Sequence, residues 1–484
     1  MRFWVPDEYA RRGDLLAHAY LAGAEGIPAR RKLVYEAPYL SIVREANDSC
    51  YGSFLWDYGA RTPAILTTAS LRERAEPYHL TLELARGTLH RLKSQTSVWD
   101  YVGIDYGQPP EGEIDDAEEA FLRAAVAQRD PVACHLQAQR SLEIAATLLD
   151  RVTRAAAEKA LETRRQDGPL ATMFGVQLDP WSDSHKDWPR ILGAFNSISV
   201  PLVWNKVQPD EGQHDWAPVN RALEWAASQG LHVCAGPILR FDRAFLPDWL
   251  QFWNDDFAAM QAHLLRYVRE AAQACKGKVH FWHAVAGVNN PGMLKLQPEQ
   301  ALRLTVAAID VLRQVDPDSP ILVSFDQPFA ESFVDSEAEL ASFHMAESLA
   351  HADVGIAGIG IELDLGYQPH GTLPRTLWEM HLLLERWRLT QLPLVVRLSA
   401  PEAPAPVVAG HDRTEFVAQP RSDLFEELLP VIAAKDFVYG VFWKALYDRD
   451  DPRFPRSGLF EGPGRPTPLL ETFARFRKRC GDAP

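Results

Sequence analysis

From about residue 169 onward the sequence alternates strand-like and helix-like runs, and the alternation repeats eight times. The strand candidates are ATMFGVQLD (171–179), SISVPLVW (197–204), LHVCAGPI (231–238), VHFWHAVAG (279–287), ILVSFD (321–326), IAGIGIEL (356–363), LPLVVRLS (392–399) and VYGVFWKAL (438–446). Helical spacing of apolar residues fills most of the intervals, at 219–228, 255–275, 298–313, 375–389 and 423–435. Buried parallel strands read as continuous apolar runs, and each needs a crossover helix before the next can pair. Eight such units predict a closed (β/α)₈ barrel. The competing architecture is an open doubly wound sheet, but no glycine-rich phosphate turn follows the first strand. The Pro/Ala run at 400–406 reads as an irregular loop after the seventh strand.

The chain ahead of the barrel changes character twice. Residues 1–76 read as a β-rich domain, since LVYEAPYLSIVRE and CYGSFLWDYG set β-branched and aromatic residues between turn signals. Residues 77–167 read as a helical connector, with Leu80, Leu84, Leu89 and Leu92 near helical spacing and an Ala, Leu, Glu and Arg-rich run at 132–166. The barrel domain then occupies 168–484.

A formal net charge of −15 argues against nucleic-acid and anionic-membrane surfaces, which need clustered Lys and Arg. No apolar stretch is long enough to span a bilayer. Five scattered cysteines without a CxxC, and a first segment (MRFWVPDEYARRGD) without an apolar h-region, lead to the expectation of a cytoplasmic protein. The sequence contains no HExxH, no zinc-spaced Cys/His pairs, no GxSxG and no P-loop, so no cofactor or metal is expected.

Several blocks resemble glycoside hydrolase family 10, the xylanases. Trp204 with Pro209, Gly212 and Trp216 is similar to that family's KWxxxEPxxGxF/W, Asp248-Trp249 to LPxW, and Trp282-His283-Ala284-Val285 to WDVV. VFWKALYD followed by SGLFEGPGRPTPLLETFARF resembles the family's last strand and helix. β-Galactosidase barrels of the same clan match the second unit about as well. The resemblance implies a (β/α)₈ barrel acting on a β-linked glycan through two glutamates. Retaining glycosidases hold their two carboxyl groups about 5–5.5 Å apart, one as acid/base and one as nucleophile. Neither glutamate is in place: the acid/base position falls on Gly287 or, with a shifted register, Asn290, and the nucleophile position falls on Leu398 or a neighbour. Glu402, the nearest acid, lies beyond Pro401. Two substrate-grip positions become Val200 and Pro237.

The remaining carboxyl groups near predicted strand ends are Asp179, Asp326, Glu362 and Asp448, with Asp242, Glu331 and Asp364 close by. If the chain hydrolyses glycosides, the expected pair is Glu362 with Asp326, Glu331 standing in for Asp326. The competing account pairs Glu362 with Arg397 on the seventh strand. Strand-end aromatics suit the apolar faces of sugars, which makes Trp204, Trp282, Trp443 and Tyr367 candidate substrate contacts. His283 should point away from Trp282, since side chains alternate along a strand. Three functional classes therefore stand: a glycosidase with relocated carboxylates, a non-catalytic barrel that binds a glycan or a protein, and a structural scaffold.

Overall fold

The computed structural model describes every residue except 45–47, 60–62, 108–111, 167, 254, 291, 335–339, 369–370, 403–413, 416–419, 449–453 and 482–484. Most of the expected loop at 400–406 lies outside the described residues. Met173–Gln177, Ser197–Val200, His232–Ala235, Phe281–Ala286, Ile321–Asp326, Gly358–Asp364, Leu394–Ser399 and Val438–Trp443 pair in sequence order, all parallel. Val438–Trp443 then pairs with Met173–Gln177, which closes the barrel and rules out the open sheet. The expected eight strands are these eight, with ends trimmed. The second stops at Val200 rather than Trp204, because Pro201 has no amide hydrogen to give the ladder. A helix at Ser342–His351 occupies an interval where the sequence pattern is weak.

Two small groups of strands, antiparallel except that Tyr78–His79 runs parallel to Arg2–Trp4, and three long helices precede the barrel. One group joins Arg2–Trp4, Lys32–Glu36, Tyr39–Val43 and Tyr78–His79, and the other joins Tyr20–Ala22, Tyr51–Trp56 and Ala64–Thr67. The helices are Leu80–Val102, Glu113–Val126 and Pro131–Arg165. Asp130 starts the last of these by accepting hydrogen bonds from the Val132 and Ala133 amides, with Pro131 at the first helical position. That helix also meets the barrel. Arg164 donates to the Lys435 carbonyl at 3.0 Å, and Asp150 accepts from the Trp378 amide at 3.3 Å and from the Tyr58 hydroxyl at 3.2 Å.

The lower barrel interior is closed by side chains. Leu322, Val395 and Phe442 form a buried cluster with Met173 and Phe281 packed against it. Phe442 fits because two neighbours have no side chain. A Cβ on Gly175 would come within 2.2 Å of its ring, and one on Gly440 within 2.9 Å. Phe442→Ala should therefore cost about 3–5 kcal/mol, the range for deleting a buried phenyl ring. Equilibrium denaturant unfolding monitored by circular dichroism checks this, and a loss below 1 kcal/mol would show that the barrel floor does not depend on the ring.

Candidate active site

Above this floor the barrel is lined by charge. Asp326, Glu362 and Arg397 are in register on three adjacent strands, so their backbones lie at one height, neighbouring strands being about 4.8 Å apart. Glu362, 1% exposed, accepts a hydrogen bond from Ser324 Oγ on Oε1 at 2.8 Å and forms ion pairs with Arg397, Nε 3.0 Å from Oε1, and with Lys444, Nζ 2.9 Å from Oε2. The ammonium of Lys444 also reaches Asp364 at 2.7 Å and 3.0 Å, and Ser399 donates to the same carboxylate. His283 lies within hydrogen-bond distance of Ser324, its Nε2 2.9 Å from Oγ.

Asp326 belongs to a second group. Arg240 contacts both of its carboxylate oxygens, at 3.0 Å and 2.7 Å, and reaches Asp242 at 2.8 Å through Nε. Asn289 braces the Asp326 backbone, accepting from its amide at 2.8 Å and donating to its carbonyl at 2.9 Å. Asn290, where the shifted register places the family's acid/base, donates to the Asp326 carboxylate at 3.3 Å. A Cβ on Gly287 would lie 2.9 Å from that carboxylate.

The titration behaviour follows from this arrangement. Burial opposes ionisation of Glu362, but Lys444, Arg397 and Arg240 together outweigh it and hold its carboxyl well below the usual range. Asp364 moves the other way: burial and the neighbouring Glu362 charge raise its pKa against the pull of Lys444 and Ser399. Burial, then Arg397 and Arg240, push His283 well below its ordinary value, so it is neutral at pH 7. The upper barrel thus holds an ionised Glu362, a carboxyl at Asp364 less ready to ionise, and three cations, Arg240, Arg397 and Lys444.

The expected site residues separate in space. Glu362 and Asp326 lie on neighbouring strands at one height, each bound to its own cations, and the pairing of Glu362 with Arg397 is present. Glu331 faces the N-terminal domain, where it pairs with Arg375 and accepts the Leu373 amide at 2.9 Å. Glu402 pairs with Arg421 at 2.8 Å, and Leu398 is in the core. Asp179 and Asp448 accept backbone amides of Trp181 and Gly458.

The aromatic expectation needs correction. Trp204, Trp282 and Trp443 are fully buried and Tyr367 is 4% exposed, so none offers a ring face to a sugar. Trp204 stacks on Tyr267 at 4.6 Å and donates to Gln208 at 2.7 Å. Trp282 donates to Asp316 at 2.9 Å, Trp443 to the Ser457 carbonyl at 2.8 Å and Tyr367 to the Pro455 carbonyl at 2.7 Å. Alternation explains two of the misses: His283, Phe442 and Lys444 face the barrel interior, which turns Trp282 and Trp443 outward to the helices. The residues overlooked in the sequence are Arg240, Ser324 and Lys444. Lys444 was discernible as the next inward position after Phe442.

Removing Lys444 leaves two buried carboxylates without their shared cation, so Lys444→Met should cost about 3–5 kcal/mol. Adding Glu362→Gln should recover part of that loss, as measured by denaturant unfolding. The pH dependence has a definite sign. Unfolded Glu362 takes up a proton near pH 4.3, whereas the folded carboxyl resists protonation until well below that. Below about pH 4.3 the unfolded chain therefore binds more protons, and the contribution of Glu362, complete above that pH, is lost as pH falls. Wild-type stability should fall more steeply than that of Glu362→Gln on acidification below pH 4, and parallel curves would contradict the assignment.

A family-wide sequence profile described as Glycosyl hydrolase family 10 matches residues 173–368. Endo-1,4-beta-xylanase 1 of Gibberella zeae is 25% identical over 137 residues, covering 26% of this chain and 38% of that protein. The match thus spans well under two-thirds of that relative's length. Native xylanase 10B from Thermotoga maritima superposes with a TM-score of 0.49 at 14% identity, covering 67% of this chain and 97% of that one. A thermostable mutant of a xylanase from Cellvibrio japonicus gives 0.49 at 13% identity, covering 64% and 98%. On its sequence match and its closed ring of eight parallel strands, this chain carries a glycosyl hydrolase family 10-like barrel.

Proposed function

We propose that the protein binds a β-linked glycan at the mouth of a xylanase-like barrel and does not hydrolyse it. One observation carries this reading: Glu362, Asp326 and Asp364, the acids set highest on their strands, are each bound to a buried Arg or Lys. A general acid must hold a proton and reach the leaving oxygen, and a nucleophile must have a free lone pair aimed at the sugar. Carboxylates already engaged by buried cations satisfy neither requirement. Gly287, Asn290 and Leu398, the positions matching the family's glutamates, have no acid to offer. For binding, the loop after the third barrel strand exposes Phe252 (88%) and Trp253 (38%), flat apolar groups suited to sugar C–H faces.

A second reading, a hydrolase with relocated carboxylates, draws on the opposite shifts of Glu362 and Asp364, because a working acid/base pair is pushed apart in this way. In that case Asp364 is the acid and Glu362 the ionised partner. Both readings meet one experiment. Purified protein incubated with soluble xylan should release no reducing sugar, the loss of general acid help alone being worth about 10²–10⁴-fold. The same protein should be retarded in native gels containing xylan, and Phe252→Ala should reduce the retardation. Turnover abolished by Asp364→Asn would replace the binding reading with the hydrolase. Unretarded migration without turnover would remove the glycan.

A further inference from the structure

The seam between the N-terminal strands and the barrel helix Leu377–Arg388 encloses a second concentration of charge, outside the barrel interior. A cavity of about 240 Å³ opens there, with Tyr20, Tyr51, Arg91, Arg375, Glu379 and Arg386 in its wall. Arg375 donates to the Tyr20 hydroxyl at 3.1 Å and pairs with Glu331, and among the described residues its buried Nε has no hydrogen-bond partner. Arg91 gives two hydrogen bonds to backbone carbonyls, Thr67 at 2.5 Å and Thr68 at 2.8 Å, and forms no salt bridge with a described residue. Arg386 has neither a hydrogen bond nor a salt bridge from its guanidinium to a described residue. It lies against Gly26, where a Cβ would come within 2.3 Å of Nη2. Burial disfavours the charge of both Arg91 and Arg386.

The charge count is unbalanced. Three guanidinium groups line the wall with one carboxylate, Glu379; nearby, Glu331 is committed to Arg375, and Glu25, whose charge acts on Arg386, pairs with His344 at 3.2 Å. Glu379 acts on all three arginines through its charge but forms no salt bridge with any of them. Half-buried cations without partners are costly, and guanidinium forks match planar and tetrahedral oxyanions through paired hydrogen bonds. We propose that this cavity is a binding site for a small oxyanion, phosphate- or carboxylate-bearing, held by Arg386 and Arg91 at the junction of the N-terminal domain and the barrel. The site is independent of the glycan reading, since it shares no residue with the barrel mouth.

The test is titration calorimetry of the full chain with inorganic phosphate and, in a parallel arm, acetate, each at ionic strength matched with chloride. Saturable one-to-one binding in at least one arm is expected, and the stronger arm names the ligand chemistry. Arg386→Gln should weaken it about ten- to a hundredfold, the range for one hydrogen bond to a charged group, without lowering the anion-free thermal midpoint. Glu379→Gln should tighten it, because the competing carboxylate is gone. No saturable heat in either arm overturns the proposal, as does affinity unaffected by Arg386→Gln. If Arg386→Gln does not fold, Glu379→Gln decides alone: unchanged or weaker binding overturns the site.

Discussion

The contact on which the upper barrel depends is the ammonium of Lys444 between Glu362 and Asp364. A closed eight-stranded barrel leaves an interior just wide enough for side chains to fill. Here the lower part takes the usual apolar solution, and the upper part is filled by ionic groups. Charges removed from water are tolerable only when paired and hydrogen-bonded. Lys444 satisfies two carboxylates at once, and Arg397 takes the remaining face of Glu362. Ser324 and Ser399 add hydroxyl donors to the two carboxylates. Arg240 performs the same service for Asp326, which would otherwise face Glu362 as a like charge at the same height.

The positions surrounding this network complement it. Asn289 and Asn290 follow the fourth strand and hold Asp326 by its backbone and carboxylate, while Gly287 gives that carboxylate room. A glutamate at either Gly287 or Asn290 would place a further anion against Asp326. The residues after the fourth strand and the cations on the seventh and eighth strands therefore belong to one arrangement of charge.

The sequence revealed the barrel because parallel strands and crossover helices write themselves as local periodicity. The outward helix layer and the strand order needed nothing more. The interior was half legible. Alternation placed His283 against Trp282 correctly, and the same rule carried two steps past Phe442 would have turned Trp443 out and Lys444 in. Trp204 misled because Pro201 ends its strand early, a break visible in the sequence but outweighed by the apolar run around it. Arg240 lies in a short strand, Leu239–Arg240, that follows the third and pairs with the fourth, and its partner Asp326 is on the fifth. That pairing depends on barrel closure and loop path, which no local pattern encodes. The seam cavity was invisible for the same reason, since its arginines come from residues far apart in the chain.

The helix Pro131–Arg165 has a consequence of its own. At about 1.5 Å per residue, its 35 residues form a rod roughly 50 Å long. One face carries residues of the N-terminal core, among them Cys134, Ala138 and Leu142, while Ala157 and Leu161 further along pack in the core of the barrel. Local unfolding spreads through contiguous cooperative units, and a helix shared by two cores cannot fray from one without weakening the other. The two lobes are thereby coupled, and neither retains its full core when the other is cut away.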